Sequence, residues 1–327
     1  MVIRFFIFIF FFFHFAGKSQ LFIAGKSDNT DNSFSFNTEE IKKRKIKSIV
    51  FEIVDKKDFK IAEDKDLSKH YEFDSLGRLK RSYYTVVKRI IEKEIRTAPI
   101  YRHHRLVSSG SIYTKDVYEF DTLFTNYFYD AKNNLIGKRY NDGTFYNATY
   151  YKYDSLNRMI SLLSCKETNA NADKNVFTLG MQQINFEEKY KYINSSANQY
   201  KQQFLNDENR VFKELIVTFN QNKQPLKYSE SYVATWINQV TDFTYNVKNQ
   251  LVEKKYSSNA SESLELKETY EYDANELLNT EKHYKNYLLQ TETGYVNDAE
   301  TKLPTSFVTR DYINKSMMIV KLVYAYY

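Results

Sequence analysis

The chain has few cysteines, which cross-link small folds, and few prolines and glycines, which form their turns. Its 327 residues include one cysteine, three prolines and eight glycines. A lone cysteine excludes a disulfide framework within one chain, so stability must come from burial and strand pairing. Because glycine and proline are scarce, asparagine and aspartate are expected to form most of the turns.

The sequence also lacks the common motifs of catalysis and cofactor binding. It has no phosphate-binding loop, dinucleotide fingerprint, nucleophile elbow or zinc-ligand spacing. The adjacent histidines His103 and His104 would point to opposite faces if they lay in a strand, which is poor geometry for a shared metal, and an exposed turn is expected to hold them. Cys165 lies in a polar stretch without an evident base, which indicates an incidental thiol. No catalytic, cofactor or metal residues are therefore predicted, and the chain is expected not to be an enzyme. The five histidines are His14, His70, His103, His104 and His283.

The net charge of the chain does not indicate that it binds nucleic acid. The net charge is +6, and 27% of the residues are charged. Charge this dilute, spread along the whole chain, does not indicate a nucleic-acid partner. The local basic run at 42–47 is interpreted as a solvated edge or linker.

The first residues have the residue pattern of a signal peptide. Arg4 precedes an apolar run at 5–15, and small residues follow at Ala16, Gly17 and Ser19. A membrane span needs ~20 apolar residues, and this run is shorter. We predict a signal peptide at 1–19, a polar flexible leader at 20–45 and one domain at 46–327, exported to the periplasm, cell surface or extracellular space. An uncleaved signal peptide is the alternative, and it would be the only contact with a membrane.

A tyrosine-rich phrase recurs along the domain, and it is the most informative feature of the sequence. Two aromatic residues, separated by one residue, are followed directly by an Asp or Asn. A Gly or Asn stands three residues after that Asp or Asn, and an apolar residue stands two residues after the Gly or Asn. The five best copies occupy residues 71–79, 127–135, 151–159, 243–251 and 270–278.

Each phrase predicts a strand, a tight turn and a returning strand. Two aromatics at a spacing of two share one face of a strand. The Asp or Asn side chain starts the turn, and Gly77, Asn133, Asn157 or Asn249 supplies the left-handed residue that follows. Glu276 departs from this pattern, so that turn is expected to use Asn275 instead. We therefore interpret the repeat aspartates as turn caps and not as catalytic acids. They are Asp74, Asp130, Asp154 and Asp273.

Repetition at a spacing near 25 residues predicts the fold class. We expect an all-β protein: an antiparallel meander of repeated β-hairpins forming one extended, curled sheet. Residues 48–54 should form the first strand, residues 319–327 the last, and 86–95 a strand despite a partly helical period. The polar stretch 165–176 is predicted as a loop between two lobes. The repeat tyrosines are expected in the core: Tyr71, Tyr129, Tyr153, Tyr245 and Tyr272.

These phrases resemble the YD-repeat (Rhs-repeat) family. The carrying residues are clearest in Asp74-Ser75-Leu76-Gly77-Arg78-Leu79 and in Asp154-Ser155-Leu156-Asn157-Arg158-Met159. The resemblance implies long antiparallel meanders that curl, and in large members shells around a toxin. This chain is too short for such a shell and shows no toxin-like tail, so that role is not expected here.

The function predicted from sequence is an exported, non-enzymatic scaffold that binds a glycan or an envelope protein. Exposed tyrosines would suit either contact. An outer-membrane β-barrel component and a hydrolase of envelope polymers remain the alternatives.

Overall fold

The Asp or Asn of each phrase caps a tight turn. In the computed structural model, Asp74 Oδ1 accepts hydrogen bonds from the backbone nitrogens of Leu76 and Arg78, each at 3.0 Å. The structure describes residues 20–327 except 29–32, 61–62, 103, 109, 197, 207 and 261–263. The same pair of bonds, to the second and fourth following residues, forms at Asp130, Asp154, Asn246 and Asp273. The prediction of turn-capping aspartates is confirmed.

The third residue after each cap adopts the left-handed conformation. Its φ is 78° at Gly77, 68° at Asn133, 56° at Asn157 and 63° at Asn249. Glu276 occupies the same slot with φ 68°, so the expected shift to Asn275 is wrong. The capping bonds of Asp273 hold this turn in the common register, and the glutamate bears the conformational cost.

Within the described residues, these hairpins and their connections form 22 strands and one short helix. In chain order they are β1 (Phe22–Asp28), β2 (Ser33–Phe36), α1 (Thr38–Lys43), β3 (Ile46–Lys57), β4 (Glu63–Phe73), β5 (Leu79–Arg96), β6 (Ile100–Arg102), β7 (Arg105–Ser108), β8 (Ile112–Tyr129), β9 (Leu135–Asn141), β10 (Tyr146–Tyr153), β11 (Met159–Asn169), β12 (Leu179–Ser196), β13 (Gln199–Leu205), β14 (Val211–Phe219), β15 (Pro225–Tyr232), β16 (Asn238–Tyr245), β17 (Leu251–Ser258), β18 (Leu264–Tyr272), β19 (Leu278–Lys285), β20 (Leu288–Asn297), β21 (Pro304–Asp311) and β22 (Ser316–Tyr326). The predicted strands at 48–54, 86–95 and 319–327 fall within β3, β5 and β22.

The sheet closes into an antiparallel barrel of 18 strands, from β3 through β5, then β8 through β22 and back to β3. The prediction of an all-β antiparallel meander is confirmed, but the prediction of an extended sheet with two free edges is wrong. Closure pairs the last strand with the first, with Val320 opposite Ile53 and Leu322 opposite Phe51. All four side chains point to one face, so closing the sheet also joins its apolar faces.

Two short hairpins lie outside the barrel ring. The strands β1 and β2 pair with each other, as do β6 and β7. The polar loop is shorter than predicted, because β11 continues to Asn169 and carries Cys165, leaving residues 170–178 as the connection to β12. Among the described residues, no helix is long and apolar enough to cross a membrane.

Tyrosine hydroxyls connect each hairpin to the one before it. Tyr272 donates to the carbonyl oxygen of Leu251 at 2.7 Å, and Tyr153 donates to that of Leu135 at 2.9 Å. In each case the acceptor is the first residue of the preceding returning strand. Tyr129, Tyr192 and Tyr245 make the equivalent bond. The second aromatic of the phrase therefore has a role in barrel assembly besides its burial.

Candidate functional site

The phrase turns all lie at one end of the barrel, because consecutive hairpins of an up-and-down barrel alternate between its ends. Neighbouring turns contact each other there. Arg78 Nη1 donates to Asn133 Oδ1 at 2.7 Å, and Gln250 Nε2 donates to the carbonyl oxygen of Glu276 at 2.9 Å. We call this the plugged end and the opposite one the far end.

Residues 20–28 and 33–45, within the predicted polar leader, carry β1, β2 and α1 and pack against the inner wall; we call them the plug. Leu21, Phe22 and Ile41 belong to the same buried cluster as residues of β3, β4 and β17–β22. The ring centroid of Phe22 lies 6.0 Å from that of Tyr295, and that of Phe36 lies 4.9 Å from that of Tyr71. One segment can touch so many strands only from the concave side, so these contacts identify the inner wall.

Gly77 fits the helix of the plug against the turn ring. A Cβ at this position would lie 2.3 Å from the carbonyl oxygen of Thr38 and 2.8 Å from the backbone nitrogen of Lys42. Its φ of +78° independently favours glycine. The glycine of the first phrase is therefore required by the plug as well as by the turn.

Beyond the plug, toward the far end, the inner wall carries a row of ionisable side chains: Lys254 on β17, Glu268 on β18, and Glu281 and His283 on β19. Lys254 Nζ lies 3.1 and 3.2 Å from the two carboxylate oxygens of Glu268. His283 Nε2 lies 2.9 Å from Glu281 Oε1. Glu268 and His283 are direct cross-strand partners. We call these four residues the inner row; their side chains are 20–42% exposed, so they contact solvent.

Buried tyrosines hold the two carboxylates of the inner row in place. Tyr270 donates to Glu268 Oε2, and Tyr295 donates to Glu281 Oε2 at 3.0 Å. Burial, together with the carboxylate charges, raises the pKa of Tyr270 and of Tyr295, so both hydroxyls stay protonated donors. The row is thus preorganised from the core side, and its remaining hydrogen-bonding capacity faces the interior of the barrel.

The charge of His283 depends on its acidic neighbours. Burial lowers the pKa of His283, but the hydrogen bond that the ring donates to Glu281 and the charges of Glu281 and Glu268 outweigh burial. The net result is a raised pKa. The inner row therefore combines two carboxylates, an ammonium group and an imidazole that gains a proton more readily than usual.

A second charged cluster is buried on the outer face of β9–β12, where the connection 170–178 covers it. Glu167 is 0% exposed and accepts hydrogen bonds from Arg139 Nε at 2.8 Å, the Tyr150 hydroxyl at 2.7 Å and Gln182 Nε2 at 2.8 Å. Burial, reinforced by Glu167, raises the pKa of the Cys165 thiol to about 11. The Glu167 carboxylate already has its hydrogen-bond partners, so we interpret this cluster as structural.

The histidines and repeat tyrosines noted in the sequence are dispersed. His70 stacks on Tyr83 at 4.4 Å, far along the wall from His283, while His14 and His103 lie outside the described residues. Tyr71 is buried in the core, whereas the other repeat tyrosines are half-buried with their hydroxyls donated to backbone. No group of three or more His, Cys, Asp or Glu side chains suited to a metal occurs in the described part of the chain.

Sequence reasoning missed the inner row. Its members come from three strands and share no motif, and only the inward alternation of β17–β19 brings them together. The one available signal was Glu268, a polar residue two positions before Tyr270 on the same face. Glu281 and His283 share that face only through the register shift that follows Leu278, which the sequence does not show.

No family model matches the chain, and no curated protein matches it. Among solved structures, a porin-like protein from Bacteroides uniformis matches with 10% identity and a TM-score of 0.38, over 86% of this chain and 97% of that one. A porin-like protein from Bacteroides vulgatus matches with 10% identity and a TM-score of 0.29, over 63% and 94%. The Tc holotoxin pore of Photorhabdus luminescens matches with 15% identity and a TM-score of 0.27, over 76% of this chain and 14% of that one. Similarities this weak carry no functional argument, and YD-repeat membership stays a prediction.

Proposed function

We propose that this chain is an exported, non-enzymatic β-barrel of the cell envelope. We propose that its outer wall faces water and that it binds a glycan at its inner row. The observation that carries the proposal is the chemistry of the two walls. The inner wall holds the plug, the core around it and the inner row, while the outer wall of β17–β19 carries cross-strand ion pairs.

Ion pairs cross the outer wall from strand to strand. Lys255 pairs with Glu265 at 2.9 Å, and Lys267 pairs with Glu253 at 2.9 Å. Lys282 pairs with Glu271 at 3.0 Å. Exposed pairs of this kind add little stability in water. In lipid they would be costly, since a lysine facing the bilayer midplane costs about 2–4 kcal/mol. These pairs support a wall that faces water at β17–β19.

The inner row suits a hydroxyl-rich ligand. Carboxylates accept hydrogen bonds from sugar hydroxyls, and the ammonium of Lys254 and the imidazole of His283 donate to sugar oxygens. Because Tyr270 and Tyr295 already hold the carboxylates, little side-chain ordering is lost when a ligand binds. Both carboxylates are already paired, Glu268 with Lys254 and Glu281 with His283, and we propose that the row binds its ligand without turnover.

The test is a glycan array with protein expressed from Gln20 onward, without detergent. The wild type should be soluble and bind a restricted set of glycans. Glu268→Gln combined with Glu281→Gln should weaken binding at least tenfold. Glu271→Gln, on the outer face of the same strand as Glu268, is the matched control and should bind as wild type. Soluble wild type that binds no glycan would contradict the assignment and favour a protein partner.

An outer-membrane barrel component is the second candidate, and closure into 18 strands is the observation that favours it. Membrane strands span ~9–11 residues with an apolar outward band. The strands β3, β4, β5, β8, β11, β12 and β22 reach that length, whereas β15–β17 have eight residues each and carry outward ion pairs. Protein that is monodisperse only in detergent, and that resists carbonate extraction from membranes, would support this candidate over the first.

A further inference from the structure

Gln20 is the first residue after the predicted signal peptide, and its side chain ends in a nitrogen without a partner. The Nε2 atom is buried and makes no hydrogen bond in the described part of the chain. The residue lines two narrow spaces between the plug and the inner wall, one beside Gln250 and the other beside Tyr295. A buried amide donor without an acceptor destabilises a fold, so this atom requires an explanation.

The amide oxygens beside Gln20 are engaged in the ring of phrase turns. Asn249 and Gln250 line the same space as Gln20. The carbonyl oxygen of Asn249 accepts a hydrogen bond from Gln224 Nε2 at 2.9 Å. Gln250 Oε1 accepts one from Asn246 Nδ2 at 3.0 Å. These bonds hold the turns and join them, and the Gln20 amide takes no part in them.

A free amino terminus at Gln20 would add an uncompensated charge. An α-amino group in water has a pKa of about 8, so it is mostly an ammonium at neutral pH. The next residue, Leu21, is 2% exposed and belongs to the buried cluster. Among the described residues that line the two spaces there is no Asp or Glu, and the one charged side chain is Lys302. An ammonium without a counter-ion, beside an apolar cluster and a lysine, is unfavourable.

We infer that Gln20 becomes the amino terminus of the exported chain and cyclises to pyroglutamate. The lone pair of the α-nitrogen attacks the side-chain carbonyl carbon Cδ, and a bond forms between these two atoms. The bond from Cδ to Nε2 breaks, and Nε2 leaves as ammonia with one proton taken from the α-nitrogen. Nothing is oxidised or reduced, and no co-reactant is consumed. The inference rests on the proposed function only in requiring export, with cleavage after Ser19.

Cyclisation removes both unfavourable groups in one step. The leaving atom is the buried Nε2 that has no partner, and the lactam nitrogen that forms carries no charge. The backbone is fixed directly after the ring, because the Asn37 N–H donates to the carbonyl oxygen of Leu21 at 2.8 Å. The lactam thus becomes the uncharged first residue of the plug.

The first test is the mass of the amino terminus. The full chain, with residues 1–19, is exported by a bacterial host and purified. Its intact mass is measured, and its first peptide is sequenced by tandem mass spectrometry. We expect a chain that begins at Gln20 and is lighter by one ammonia than the unmodified sequence.

The other results of this experiment separate the inference from the proposed function. A chain that begins at Gln20 with a free amine would overturn the cyclisation and leave the proposed function intact. A chain that keeps residues 1–19, or that begins elsewhere, would overturn the cleavage on which the inference rests. Cyclised protein that binds no glycan would contradict the proposed function alone.

Urea unfolding tests the physical reason. Protein freshly released from a cleavable amino-terminal fusion begins at Gln20 with a free amine, and glutaminyl cyclase converts half of the sample. At pH 6 the cyclised form should have an unfolding equilibrium constant about tenfold lower, the effect of folding that lowers the pKa of the free amine by about one unit. The difference should shrink by pH 9, where the free amine is largely neutral in both states. Tyr272 and Tyr295 stay protonated over this range because burial raises the pKa of each, which leaves Lys302 as the one charged group among the described residues that line the spaces.

Gln20→Ala is the matched control, because it keeps the free amine and lacks the amide. Cyclase treatment should leave its unfolding unchanged at both pH values. Equal stability of the two wild-type forms at pH 6, or a difference that grows toward pH 9, would overturn the inference that the ring relieves a buried charge at Gln20.

Discussion

Replacing Glu276 tests whether the repeated turn imposes its conformation on whichever residue fills the slot. Glu276 has φ 68° although it carries a full side chain. The left-handed conformation costs a non-glycine residue about 1–2 kcal/mol. Asparagine escapes much of this cost without the extra unfolded-state entropy of glycine. The ion pair between Glu276 and Lys248 is 41% and 53% exposed, so losing it costs only a few tenths of a kcal/mol.

We therefore expect Glu276→Asn to stabilise the protein by about 0.5–1 kcal/mol, a rise in Tm of ~1–3 °C for a domain of this size. Urea and thermal unfolding with an unchanged m value would measure the gain. Asn275→Gly is the matched control, because Asn275 does not have positive φ and glycine there should destabilise the turn by ~0.5–1 kcal/mol. No gain at Glu276 combined with a gain at Asn275 would mean that the turn uses the other register.

Three further predictions follow from single side chains. Tyr272→Phe should cost about 1–2 kcal/mol in urea unfolding, because the half-buried carbonyl of Leu251 loses its donor; an unchanged midpoint would remove the proposed role of the hydroxyl. The raised pKa of His283 means that its pairing with Glu281 stabilises the protein fully below about pH 6.5 and less as pH rises through the folded pKa. The stability difference between wild type and His283→Gln should thus shrink from pH 5.5 to 9, and a constant or growing difference would contradict the pairing. Cys165, with a pKa of about 11, should resist iodoacetamide at pH 8 in the folded protein and react after denaturation, as measured by mass spectrometry.

Local structure was predictable to the extent that short-range chemistry decides it. Asp74 caps its turn and Gly77 takes a positive φ because both effects involve atoms within five residues. Strand 86–95 was also predictable, since β-branched residues dominate its apolar positions. The same reasoning failed at Glu276, where capping by Asp273 outweighed the preference of the side chain.

The sequence alone determined that this chain is an antiparallel array of capped hairpins with aromatic faces. It did not determine that the array closes, because a meander of repeats has the same local pattern whether its edges meet or stay apart. Closure rests on the register between Leu322 and Phe51, residues separated by nearly the whole chain. Only after closure does one wall become inner and the other outer, which places the plug against Gly77 and brings Glu268 beside His283. Those neighbours are set by strand order and tilt, so the candidate site belongs to the tertiary structure and has no signature in the sequence.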